Sequence, residues 1–203
     1  MTQRFEPASG QLVIISGPSG AGKSTVVRQL LQVCPLPLAT SVSATTRAPR
    51  DAEQHGVDYY FLSQEKFDRL RHRGAFLECK QNFGMQHWYG TLKDQVAAGL
   101  GEGKWLILEI DVQGAMEVLE HPELDPITIF IHPGGMEELE RRLRMRGTED
   151  ESSLAARLET AAAEMRYISR YRYEIINRSV PVAVEEICQI LLQVRQANAC
   201  SKS

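Results

Sequence analysis

Cysteine is scarce in this chain: four among 203 residues, at positions 34, 79, 188 and 200. There is no CxxC pair and no histidine at ligand spacing from them, so neither a disulfide framework nor a structural zinc site is expected. The thiols should be reduced, and Cys34 and Cys188, in apolar helical stretches, read as small core residues. A basic excess is also missing. Lys and Arg number 23 against 26 Asp and Glu, a net charge of −3, which argues against a polymeric nucleic acid as partner. No apolar run approaches the roughly 20 residues that span a bilayer. The opening residues, with Arg4, Glu6 and Pro7, lack the apolar core of a signal peptide. No membrane partner is expected, and the cytoplasm is the expected location. Internal repeats and low-complexity segments are absent as well. What is left, 43% hydrophobic and 24% charged residues, is the composition of an ordinary globular chain.

Gln11–Ser16 is a short apolar run that stops at a glycine, the pattern of a buried parallel strand. A glycine-rich turn follows, then Lys23–Val33 with Val26, Val27, Leu30 and Leu31 on one helical face. Trp105–Ile110, Pro126–Ile131 and Tyr173–Ile176 are further strand candidates, and a terminal helix is expected from about Val182 to Gln196. Alternating strands and helices predict a doubly wound α/β sheet. Two stretches interrupt it. Between about Ser43 and Tyr89, strand-like pieces at Tyr59–Leu62 and Ala75–Cys79 surround a helix at Gln64–Arg73, with Ser63 as N-cap and Gly74 as stop; this predicts a small α+β insertion. Met136–Met145 and about Ser152–Tyr171 predict a helical hairpin.

The strongest chemical signal is Gly17-Pro18-Ser19-Gly20-Ala21-Gly22-Lys23-Ser24, a full GxxxxGK[ST] match between a predicted strand and a predicted helix. Its glycines let several N–H groups converge on phosphate oxygens, and the helix N-terminus adds positive partial charge. Lys23 then reaches the β- and γ-phosphates of a nucleoside triphosphate, and the Ser24 hydroxyl suits Mg²⁺. Glu109 and Asp111, two apart at a strand end, can share a face beside that metal, and the sequence leaves open which of them stands nearer. Arg47 and Arg50, separated by Ala48-Pro49, form a compact pair for a second phosphate. Arg141, Arg142, Arg144 and Arg146 crowd the hairpin, where they fit equally well a finger over transferring phosphate or a solvated face paired with Glu137, Glu138 and Glu140. His55, His72, His87, His121 and His132 carry no assigned chemistry and are expected to be solvated.

In order along the chain, SGPSGAGKST, SVSATTRAPR, HGVDYYF, GAFLE, WYGT, LEIDVQG and RMRGTE resemble the guanylate kinase pattern, from about Gln11 to Gln193. The resemblance implies transfer of the γ-phosphate of ATP to GMP, and by extension dGMP. The products are ADP and GDP, for guanine nucleotide synthesis and salvage, with Mg²⁺ as cofactor. It implies a P-loop NTPase-type core of residues 1–42, 91–133 and 171–203, a GMP-binding domain over 43–90 and a lid over 134–170.

It also implies roles. Arg47, Arg50, Tyr59 and Tyr89 would hold the GMP phosphate; Ser43, Glu78 and Thr91 would face guanine, with Glu109 close to GMP. Gly17, Pro18, Ser19, Gly20, Ala21, Gly22, Lys23, Ser24 and Thr25 would hold ATP, with Asn177 near adenine. Lys23, Arg47, Arg142, Arg146 and Arg157 would stabilise the transferring group, and Ser24 and Asp111 would hold Mg²⁺. A carboxylate at 78 accepts guanine N1–H and N2–H together, and a hydroxyl such as Thr91 can donate to O6; adenine would leave that carboxylate unpaired. Three departures stand out. Phe83–Gly90 is two residues longer than the usual FGNYYG, with Trp88 in place of its first tyrosine. Glu109 stands where many members have aspartate, and Asn177-Arg178 where Asn-Asp is common. The rivals are a non-catalytic module of the same family and a kinase for another phosphorylated acceptor, such as a ribose bisphosphate.

Overall fold

The computed structural model describes residues 10–81, 86–145 and 151–200. The chain opens with β1 (Gln11–Ser16), α1 (Lys23–Val33), β2 (Leu38–Thr40), β3 (Ala44–Thr45), β4 (Tyr60–Phe61), α2 (Gln64–His72), β5 (Phe76–Gln81) and β6 (Trp88–Leu92). It continues with α3 (Lys93–Gly101), β7 (Trp105–Glu109), α4 (Val112–Leu119), β8 (Ile127–His132), α5 (Met136–Met145), α6 (Glu151–Met165), β9 (Tyr173–Ile176) and α7 (Val180–Cys200). The larger sheet has the strand order β2-β7-β1-β8-β9, the smaller β4-β3-β6-β5. Two compact units are distinguished: Val13–Leu38 with Glu109–Val112 and Ile127–Ser203, and Met1–Leu12 with Ala39–Leu108 and Gln113–Pro126.

In the first of these units β1, β8 and β9 run parallel, with Val13 opposite Ile127 and Ile129 opposite Tyr173. β8 is buried along its whole length and β1 along all but its first residue. That explains their largely apolar sequences, since a parallel strand covered on both faces has no solvent side to alternate with. α1 and α7 pack against each other, and α5 packs on α6. The α5–α6 hairpin buries Leu139, Leu143, Leu154 and Ala161 in a cluster of its own.

In the other unit α2 begins where the capping pattern predicts: the Ser63 hydroxyl accepts from the Lys66 N–H at 3.2 Å, and Gly74 follows with φ +65°. Phe67 on α2 stacks on Phe76 of β5 at 4.5 Å and leans on Trp88 of β6 at 5.9 Å. The Arg71 guanidinium lies 4.2 Å over the Trp88 ring. Trp88, the departure from the family pattern, is thus a packing residue whose backbone exchanges bonds with Thr46: Thr46 N–H donates to its carbonyl at 3.0 Å, and its own N–H donates to the Thr46 hydroxyl at 2.9 Å.

The structure departs from the pattern-based expectations in four places. β7 ends at Glu109, so Asp111 lies in the turn before α4 and its pairing with Glu109 does not come from strand alternation. α3 and α4 had no clear signal because each carries glycine at a packed position. A Cβ on Gly99 would lie 3.1 Å from Leu106, so close helix packing outweighs poor helix propensity there. α7 runs on through Cys200, while the stretch after α6 breaks into a single 3-10 turn at Ile168–Arg170. His132 is not solvated but 4% exposed. Gly134 N–H donates to its Nδ1 at 3.1 Å, so its Nε2 carries the hydrogen and donates to Glu174 at 2.8 Å.

Candidate active site

The turn between β1 and α1 is built by backbone shape. Gly17, Gly20 and Gly22 have φ of +139°, +92° and +88°. Gly17 has a second reason to lack a side chain: a Cβ there would sit 2.0 Å from the Ile131 carbonyl oxygen of β8. Pro18 and Ala21 are buried, Ser19, Ser24 and Thr25 exposed, and the turn is closed by Ala21 N–H donating to the Pro18 carbonyl at 3.1 Å. Lys23 folds back over the loop and donates to the carbonyls of Gly17 at 2.6 Å and Pro18 at 3.0 Å. Its ammonium therefore stands at the mouth of the glycine turn, above the start of α1. The Ser24 hydroxyl donates to Glu109 Oε1 at 2.5 Å. Glu109, expected near the acceptor nucleotide, is thus tied to the phosphate loop, and Asp111 follows it two residues later in the same unit.

The arginine-rich helix divides by face. Arg141 and Arg144 are exposed and pair with acids of the hairpin, Arg141 with Glu138 and Arg144 with Glu140 and Glu151. Arg142 is 22% exposed; its Nε donates to Glu138 at 2.7 Å and its Nη2 to the Asn177 carbonyl at 2.7 Å. Two guanidinium partners hold the Glu138 carboxyl down at about 2. Asn177, 2% exposed, donates from Nδ2 to the Ala21 carbonyl at 2.8 Å, so one residue links Arg142 of α5 to the glycine turn. Its Oδ1 is buried without a hydrogen-bond partner. Leu139 and Leu143 come within about 3 Å of where a Cβ on Gly20 would lie, setting the hairpin core directly on the loop. Arg157 is exposed on α6. Arg146, with the RGTE segment, and residues 82–85 lie outside the described residues.

The other group belongs to the second unit. Arg47 meets Glu53 end-on, Nη1 to Oε2 at 2.8 Å and Nη2 to Oε1 at 2.9 Å, while Nη1 also donates to the Ala48 carbonyl. The Arg50 N–H donates to the same Glu53 carboxylate at 2.8 Å, closing the turn. Held by the Arg47 guanidinium first and the Arg50 amide second, Glu53 is lowered to about 2; Arg47 is raised in return, with the Tyr89 hydroxyl adding to the effect. Tyr59 and Tyr89 meet edge to face at 6.0 Å, and the Arg47 guanidinium lies 5.5 Å from the Tyr59 ring centre. Arg47, Tyr59 and Tyr89 therefore share one corner, with exposed Arg50 on the same turn. The Ser43 carbonyl anchors the edge of this sheet by accepting from Tyr60 N–H at 2.8 Å.

Glu78 and Thr91 are cross-strand partners on β5 and β6. Glu78 is 7% exposed and Thr91 fully buried, and the Thr91 hydroxyl donates to Glu78 Oε1 at 2.6 Å. Thr91 has one hydroxyl hydrogen and gives it to the carboxylate, so it orients Glu78 rather than pointing that hydrogen outward. Oε2 faces Gly114 of α4, where a Cβ would come to 3.0 Å. Burial pushes the Glu78 carboxyl above its ordinary range; the Thr91 hydroxyl works against that shift and the nearby charge of Glu117 adds to it. A buried carboxylate is a costly arrangement, and a ligand that brings two donors to it would offset part of that cost.

A guanylate kinase family profile matches residues 9–194. The chain belongs to the guanylate kinase family. A guanylate kinase of Rhodopirellula baltica is 70% identical over 194 residues, covering 96% of this chain and 93% of its own. One from Caldanaerobacter subterraneus is 45% identical over 184 residues, covering 90% and 87%. Among solved structures, guanylate kinase from Anaplasma phagocytophilum superposes with a TM-score of 0.71 at 33% identity, covering 93% of this chain and 88% of that one. The chain is accordingly an enzyme of this family, with the α/β fold of P-loop type.

Sequence reasoning missed Glu53, Glu138 and Gly114. Glu53 had a signal: an acid three residues past an arginine turn can close the turn and hold its arginine at once. Glu138 appeared only as one of several acids on a solvated face. Gly114 had none, because a close approach between α4 and β5 leaves no trace in local pattern.

Proposed function

We propose that this enzyme transfers the γ-phosphate of ATP to GMP, giving ADP and GDP, and accepts dGMP, whose base and phosphate are the same. The observation that carries the reading is the buried Glu78 carboxylate, oriented by Thr91 on a sheet whose other end carries the Arg47–Tyr59–Tyr89 corner. Guanine offers N1–H and N2–H side by side, the two donors such a carboxylate needs, whereas adenine presents a lone pair at N1 and nothing at C2. Arg47, Arg50, Tyr59 and Tyr89 suit the acceptor phosphate, and Ser43 borders the same sheet.

On the donor side, the glycine turn and Lys23 receive the triphosphate, and Asn177 keeps the turn in shape through its bond to Ala21. Transfer passes through a loose transition state with charge spread over the peripheral oxygens. The work of the protein is therefore positioning and charge neutralisation, by Lys23, Arg142, Arg157 and Arg146 around the moving group and Arg47 on the acceptor. Among the described residues no three His, Cys, Asp or Glu side chains are placed to hold a metal by themselves. The Ser24 hydroxyl, with Glu109 at 2.5 Å and Asp111 close in sequence, nonetheless forms the all-oxygen set that Mg²⁺ takes together with phosphate oxygens. Mg²⁺ bound there would neutralise charge on the β- and γ-phosphates; Ser24 and Asp111 are the residues to hold it, and Glu109 orients Ser24.

We read residues 43–90 as the GMP-binding domain, 134–170 as the lid and the remainder as the core. Cytoplasmic supply of guanine nucleotides fits the family, and among the described residues no helix is long and apolar enough to cross a membrane. The test is coupled ADP release with GMP, dGMP, AMP and ribose phosphates as acceptors. Turnover with GMP and dGMP, and less than about one ten-thousandth of that kcat/KM with AMP, is expected. Equal rates with AMP, or preference for a ribose phosphate, would overturn the assignment.

A further inference from the structure

Two of the four cysteines lie together. Cys34, the C-cap of α1, and Cys188, on α7, are 154 residues apart in sequence, yet their sulfurs approach to 2.8 Å. All four thiols are free, and Cys34 is buried while Cys188 is partly accessible. Cys188 also lines a groove of about 340 Å³ between α1 and α7, with Val33, Pro181 and Val184 as its apolar wall and Gln29, Glu185 and Gln189 as its polar rim. One sulfur can thus be reached from outside and the other stands directly behind it. The approach is already well inside ordinary sulfur–sulfur contact, and a bond of about 2.05 Å asks for a shift of roughly 0.8 Å.

We infer that Cys34 and Cys188 form a dithiol site for small-molecule disulfides, with Cys188 the attacking thiol and Cys34 the resolving one, whose closure staples α7 to the helix that carries the phosphate loop. Cys188 Sγ, as thiolate, attacks one sulfur of the small disulfide. The S–S bond of the reagent breaks and one thiol leaves with a proton. Cys34 Sγ then attacks Cys188 Sγ of the mixed disulfide and expels the second thiol. Two protein thiols are oxidised and one disulfide is reduced to two thiols, so no further oxidant is needed.

Burial, reinforced by the neighbouring Cys34 sulfur, pushes the Cys188 thiol up to about 12. The first step is slow for that reason, and thiols of high pKa are poor leaving groups, so the closed form resists reduction. Glu185 on the rim disfavours anionic reagents, so hydroxyethyl disulfide should react faster than glutathione disulfide. Lys23 stands at the opposite end of α1 from Cys34, about 16 Å along the axis, so closure should stabilise the core without touching the chemistry.

The experiment incubates the intact protein with hydroxyethyl disulfide, follows intact mass, maps peptides and records melting temperature and turnover. The expected product has lost two hydrogen masses and joins the Cys34 and Cys188 peptides. Its melting temperature rises by about 10 °C, reversed by dithiothreitol, with kcat/KM within about twofold of the reduced form. C34S should stop at a mixed disulfide on Cys188, and C188S should leave Cys34 unmodified. Adducts or links confined to Cys79 or Cys200, a stable adduct on Cys188 with Cys34 intact, or a Cys34–Cys188 link that fails to raise the melting temperature would each overturn the inference.

Discussion

Replacing Glu78 with glutamine separates recognition from stability, because the two respond in opposite directions. Glutamine keeps the volume beside Gly114 and an oxygen for the Thr91 hydroxyl, now 2.6 Å away, to donate to. It replaces the other oxygen with an amide NH₂, which would meet a guanine donor head-on. Two charge-assisted bonds of about 1.5–3 kcal/mol each become one neutral bond and one clash, a loss of about 3–4 kcal/mol. In kcat/KM for GMP that is roughly a 10²- to 10³-fold fall, with the KM for ATP unchanged.

Stability follows the other sign. Burial raises the folded-state pKa of Glu78 above its usual 4.5, so the folded chain holds that proton more tightly than the unfolded chain. The carboxylate therefore costs stability as pH rises beyond 4.5, and removing it removes the cost. Glu78→Gln should melt at or above the parent temperature at neutral pH, with the difference shrinking as pH falls toward 4.5 and gone below it. The assays are coupled ADP release with GMP and AMP, and thermal melts across pH. Unchanged GMP kinetics would remove Glu78 from the base site; a fall in GMP activity that tracks a fall in melting temperature would reduce its role to folding.

Lys23→Met should lower kcat by at least about 10²-fold while the melting temperature stays put, since its ammonium donates to the turn carbonyls of Gly17 and Pro18 and lies outside the apolar core; near-normal turnover would refute its role. Glu53→Gln should raise the KM for GMP far more than that for ATP by loosening the Arg47 turn. Because the Glu53 carboxyl lies at about 2, its contribution is present in full above 4.5 and is lost only as pH falls toward 2, so the variant-to-parent ratio should be flat between pH 5 and 8. Ser24→Ala should raise the Mg²⁺ concentration needed for half-maximal rate with GMP affinity unaltered, as read by titrating Mg²⁺ at fixed ATP. Gly20→Ala should lower both melting temperature and activity, because the new methyl meets Leu143 at 2.9 Å and φ is +92°; a melt equal to the parent would show that the hairpin does not rest on the loop.

The backbone of the glycine turn was legible because its determinants are local. A buried parallel strand, three glycines at fixed spacing and a helix start with Lys23 all lie within fourteen residues, and Ser63 and Gly74 bracket α2 in the same way. What escaped the sequence depends on partners far along the chain. The bond from buried His132 to Glu174 joins β8 to β9, the link from Arg142 through Asn177 to Ala21 spans three segments, and the position of Asp111 turned on where β7 stops. The charged run on α5 shows the difference most plainly: spacing alone could not say which of its arginines looks inward, and tertiary contact singles out Arg142.

Arg47 has five N–H donors, and the fold divides them. Glu53 takes the end of the guanidinium, Ala48 the outer hydrogen of Nη1, and the Tyr89 hydroxyl a further contact, so carboxylate, backbone and phenol are all gathered by one planar group. The arginine is thereby a beam fixed at several points, and no primary amine could reach them all. Lysine at this position would have to choose between keeping the turn closed and meeting Tyr89.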